Sequence, residues 1–217
     1  LATLAMGAFY LLIKFPLPKQ AQGFPVSKSI SLFKDSALIL IAFFLFCQSS
    51  FEAIINNWAT TFLTNGLSIP QNKALYALSL FVAGMTVMRV LLGSVFKNTD
   101  LKKLWIGAFS MILFGLLFLA FGKYFLLSVA GLIFLGAGLA GGFPLMLGLV
   151  GHRYKELSGT AFSLVFVIAL LGNMLINYGM GIIAQVYGIR HLITVAFIEM
   201  GVMIFLCYHI LRNKNSG

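Results

Sequence analysis

Hydrophobic residues gather along this chain into six long blocks, 36–63, 74–96, 104–122, 125–150, 159–187 and 192–211, each closed by a short polar or glycine-containing turn. A hydrocarbon core of ~30 Å takes about 20 residues of helix at ~1.5 Å each, so every block is long enough to cross a bilayer. The pattern predicts an all-α, polytopic transmembrane helix bundle over residues 36–211. A seventh block, residues 1–13, is too short to span and lacks a basic leading region or a small-residue cleavage site. It reads as the end of a truncated transmembrane helix, not a signal peptide. Four lysines with Pro16, Pro18 and Pro25 make residues 14–35 a polar loop, and residues 212–217 form a tail. The six blocks also divide into two sets of three. In each set, two longer helices with polar or glycine positions precede a shorter, nearly all-apolar third. Three spans per set start the second set on the opposite face from the first, which is the layout of a 3+3 inverted repeat.

Polar positions inside the blocks carry the candidate chemistry. Gln48, Glu52, Asn56 and Thr60 recur every fourth residue and predict a slanting polar stripe on the first helix, opposite Phe43, Cys47 and Ile54. Glu52 falls near the bilayer midplane, where an acid costs roughly 2.5 to 3.5 kcal/mol and calls for a cavity, a partner or a proton. Either it lines a polar pathway or it is a neutral carboxyl tying two helices together. Asn173, Asn177 and Gln185, with Gly181 between them, form a second stripe whose amides suit either the hydroxyls of a sugar-like ligand or a neighbouring helix. Trp58 and Phe62 offer rings for stacking, or an interface anchor. The run GAGLAGGFP around Pro144 has no preceding strand and no following GK[ST], so it predicts a kinked helix and not a phosphate loop. Arg89 lies roughly 10 Å inside its end of the second block. It either snorkels outward or pairs with a loop acid such as Asp100 or Glu156. Glu199, in the middle of the last block, has no partner in its own segment.

Composition agrees with a membrane protein: of 217 residues 60% are hydrophobic and 9% charged, and the mean hydropathy is +1.01. A net charge of +10 would suggest nucleic acid in a soluble chain, but here its placement decides. Eleven of the fifteen lysines and arginines fall in loops on one side, three on the other, and Arg89 within a span. The positive-inside rule makes the rich side cytoplasmic. Cys47 and Cys207 sit in apolar runs as buried thiols. His152, His191 and His209 lie at span edges with no partner at metal-ligand or catalytic spacing, which argues against a metal, a cofactor or an enzyme.

Phe51, Glu52, the run 57–63, Arg89 with Gly93, Phe143 with Pro144, the stretch SGTAFS at 158–163, Gly172 and Gly181 resemble the C-terminal six-helix half of a major facilitator superfamily transporter. The nearest branch is the fucose/glucose-galactose proton symporters. Met88 and Asn177 depart from that pattern, standing where the family usually has Gly and the branch often Pro. The resemblance implies alternating access, a missing N-terminal six-helix half, and a bacterial inner (plasma) membrane location. It also implies a small-molecule substrate moved with protons, with lipid around the bundle and no nucleic acid as partner. Substrate contacts are then expected from Gln48, Glu52, Asn56, Trp58, Asn173 and Asn177, with Arg89, Gly93, Pro144 and Gly181 in gating or structural roles. Two rival expectations are a drug or metabolite antiporter half and a non-transporting membrane scaffold.

Overall fold

The computed structural model describes residues 32, 34–122 and 124–214, with side chains to residue 212. The truncated helix expected at residues 1–13 and most of the expected 14–35 loop lie outside the described residues. Helix α1 (Ser36–Thr61) continues through a π-helical turn (Phe62–Gly66) and is followed by α2 (Gln71–Ser94) and α3 (Leu101–Phe121). Then come α4 (Phe125–Leu139), α5 (Gly142–Arg153), a 3₁₀ turn (Lys155–Leu157), α6 (Ser158–Val186) and α7 (His191–Lys214). Taken with α4 and α5 as one segment, six helices among the described residues are long and apolar enough to cross a membrane, one for each of the six long hydrophobic blocks. Helices suit that setting because hydrocarbon offers backbone amides no partner but each other.

Apolar burial drives little association between helices already in lipid, so contact rests on close backbone approach and polar bonds. Glycines supply the approach. A Cβ on Gly115 would lie 2.8 Å from the Gly131 carbonyl and one on Gly131 2.9 Å from the Gly115 carbonyl, so α3 and α4 meet backbone to backbone. Gly136 meets the Phe81 carbonyl of α2 in the same way, and Gly172 of α6 meets the Phe46 carbonyl of α1. The most extensive pairings are α1 with α6, α2 with α4 and α3 with α4, followed by α1 with α7. Exchanging the first three spans for the last three turns the α1–α6 pairing into α2–α4, and α3–α4 into α1–α7. Burial follows the same exchange: the first span of each set is mostly buried, the second is the least buried and the third lies between them.

The fourth block is two helices, with a break at Ala140 and Gly141 one turn before Pro144. Pro144 has no N–H, so the Ala140 carbonyl loses its partner, while Pro144 itself sits harmlessly in the first turn of α5. At the start of α1, Asp35 Oδ1 accepts from the Ala37 and Leu38 amides (2.9 and 3.4 Å) and Oδ2 from the Tyr154 hydroxyl (2.6 Å). That N-cap fastens α1 to the turn after α5. At the far end, the Arg190 guanidinium donates to the Gly66 carbonyl at 3.2 Å, satisfying a carbonyl of the π turn.

Candidate functional site

Close packing of α1 on α6 at Gly172 leaves room beside α2 and α5 for a cleft of about 380 Å³. Its walls are Ser49, Glu52, Asn56 and Asn57 of α1, Arg89 of α2, Phe143 of α5 and Asn173 of α6. Glu52 Oε2 and an Arg89 amino nitrogen stand 3.6 Å apart, the side chains 27% and 46% exposed. This is an open ion pair, not a closed hydrogen bond, and it leaves most of the donors and acceptors of both groups available to a ligand. Asn56 donates to the Glu52 carbonyl at 3.1 Å on its own helix. Asn57 donates to Asn177 Oδ1 at 3.0 Å, and the Asn177 amide donates in turn to the Asn173 carbonyl (2.9 Å) and side chain (3.2 Å). The amide stripe of α6 is thus split: Asn173 reaches the cleft, and Asn177 bonds across to α1.

Glu52, Asn56, Arg89 and Asn173, four of the expected site residues, come together here. Gln48 does not join them. It is buried behind the cleft, where its Nε2 donates to the Leu139 carbonyl at 2.8 Å. Gly142 is what admits it, since a Cβ there would overlap the Gln48 amide. Trp58 is half-buried outside the cleft lining, its ring about van der Waals distance (3.6 Å) from where a Gly181 Cβ would stand. Pro144 is exposed in the first turn of α5, and Gly93 has no neighbour within 4 Å of its Cβ position. Gly181 therefore contacts Trp58, whereas Gly93 meets no close approach.

Arg89 corrects the sequence reading. It neither snorkels outward nor meets Asp100 or Glu156; it turns inward to Glu52, and its Nε donates to the Ala140 carbonyl at 3.4 Å. Counting rise from helix ends sets depth along one helix but not the offset between two, and the long arginine stem spans the difference. Ser49, Asn57 and Phe143 are lining residues the sequence reading did not propose. The signal was present for Ser49. At ~100° per residue a strict fourth-residue stripe drifts by ~40° a step, whereas Ser49, Glu52 and Asn56 at i, i+3 and i+7 hold one face.

The chain matches no protein-family model and no curated protein.

Proposed function

We propose that the chain is one half of a secondary transporter of the bacterial inner membrane, its cleft binding a small, hydroxylated, sugar-like solute that moves with protons by alternating access. The observation that carries this reading is the cleft itself: a carboxylate, a guanidinium and three amides converge on an open space near the middle of a span in an otherwise apolar bundle. Such an acid and base, costly at that depth, mark solute and ion pathways in membrane proteins. Carboxylate and amide oxygens accept from sugar hydroxyls, and amide and guanidinium N–H groups donate to them. Packing that survives exchange of the two sets of three spans supports the inverted repeat on which such transporters are built. The two least buried spans, containing α2 and α6, flank the cleft, so a second six-helix unit seated there closes it.

The test is binding of a panel of monosaccharides to the protein in lipid nanodiscs across pH. Glu52→Gln keeps shape and is expected to weaken binding about tenfold or more with an altered pH profile, and Glu52→Leu to weaken it further. Wild-type affinity and pH profile in the Gln variant, or no sugar binding by the wild-type protein, refutes the reading.

A further inference from the structure

Glu199 lies outside the cleft. It sits near the middle of α7, 6% exposed, and contacts the hydroxyl of Ser50, a fully buried residue of α1. Ser50 is two residues from Glu52, about 200° around the helix, so the two acids lie on opposite sides of α1. Among the described residues no cation faces Glu199. From α1 the ionisable neighbour is Cys47; α3 has no ionisable residue between Lys103 and its end; α6 carries only Tyr178, which is exposed; and on α7 the nearest are His191, Cys207, Tyr208 and His209, two turns or more away. Glu199 Oε2 is buried without a hydrogen-bond partner.

Counting protons decides the charge. A serine hydroxyl has one proton to give. Ser50 Oγ lies 2.9 Å from the Cys47 carbonyl, which can only accept, and it also contacts Glu199 Oε1. With the serine proton on the carbonyl, the second contact is a hydrogen bond only if the carboxyl brings its own proton. An ionised Glu199 would instead take the serine proton and still leave a charge in an apolar interface with one oxygen bare, the arrangement buried charges avoid.

We propose that Glu199 and Ser50 form a proton-binding site between α7 and α1, separate from the cleft, in which the neutral carboxyl donates to the Ser50 hydroxyl and Ser50 donates to the Cys47 carbonyl. The ligand is the proton, and bound it links the last span to the first. The site stands whether or not the cleft binds a solute.

Infrared difference spectroscopy of the full chain in lipid bilayers tests it. Subtracting Glu199→Gln from the wild-type protein at neutral pH is expected to leave a protonated-carboxyl C=O band that fades on raising the pH into the alkaline range. Ser50→Ala, which keeps the acid and removes its acceptor, shifts that band to higher frequency, and this variant carries the test alone if Glu199→Gln does not fold. Thermal melts give a second readout: the wild-type Tm falls as pH rises from the ordinary carboxyl range up to the pH at which that band fades and levels off above it, and that of Glu199→Gln does not. Carboxylate bands alone at neutral pH, a band that Ser50→Ala leaves in place, or equal pH dependence of the two melts overturns the proposal.

Discussion

At the residue scale, Asp35 and Tyr154 give the most direct reading of charge. Burial opposes ionisation of Asp35, yet the Tyr154 hydroxyl, the Ala37 and Leu38 amides and the nearby Arg153 together hold its carboxyl below the ordinary value of 3.8. Burial, and then the same bond to Asp35, push the Tyr154 hydroxyl up. A carboxyl with a depressed folded value adds stability that is present above its unfolded value and lost as pH falls through the folded one. The α1 cap is therefore expected to weaken below about pH 4, and Asp35→Asn to flatten that part of a Tm-against-pH curve. Asp35→Ala should cost about 1 kcal/mol at pH 7 in a denaturation experiment. An unchanged acid limb in Asp35→Asn would show that the cap does not titrate with folding. The start of a helix at residue 36 was legible because the polar loop stops there. The bond to Tyr154 was not, since 119 residues separate the partners and hydropathy says nothing about which turn lies beside which helix end. Glu199 was unreadable for the same reason, its partner Ser50 lying on another span.

At the scale of the element, the broken fourth span leaves carbonyls at Leu139 and Ala140 that side chains of α1 and α2 take up: Gln48 the first, Arg89 the second. Interhelical bonds of this kind in membrane proteins contribute about 0.6 kcal/mol on average and up to ~1.7. Gly142→Ala, which forces the Gln48 amide off Leu139, is expected to cost at least that much and to lower Tm. Gln48→Leu should lower it similarly, and the double variant by less than the sum, because both remove one bond. Additive losses in a double-mutant cycle would mean that Gly142 and Gln48 act separately. The glycine-rich run and Pro144 made a bend legible, because proline withdraws a donor at a known offset. Which side chains filled the gap was not legible, and Gln48 looked like a member of the cleft for want of that knowledge.

For the whole molecule, hydropathy was enough to find the six helices that, among the described residues, are long and apolar enough to span a membrane, since a span must match a fixed thickness of hydrocarbon. It carried no information on which spans touch, and the pairings of α1 with α6 and α2 with α4 rest on glycines whose partners are backbone atoms elsewhere in the chain. Orientation follows from the loops. Single cysteines at Asn98 and Lys155 are expected to label from the cytoplasmic face, and at Asn72 and Tyr124 from the opposite one, with little background from the buried Cys47 and Cys207. Labelling of all four from one side would undo the six-span topology. The two sets of spans pack alike but are not chemically alike. α1 is a continuous helix bearing Glu52, whereas its counterpart under exchange, α4 with α5, carries the break and no acid within the span. A scaffold with two equivalent halves would repeat its site and take up two ligands. Here the acid belongs to one set of spans and the broken helix to the other, so exchanging the sets does not regenerate the cleft, and if it takes up the proposed solute the expected titration is one ligand per chain.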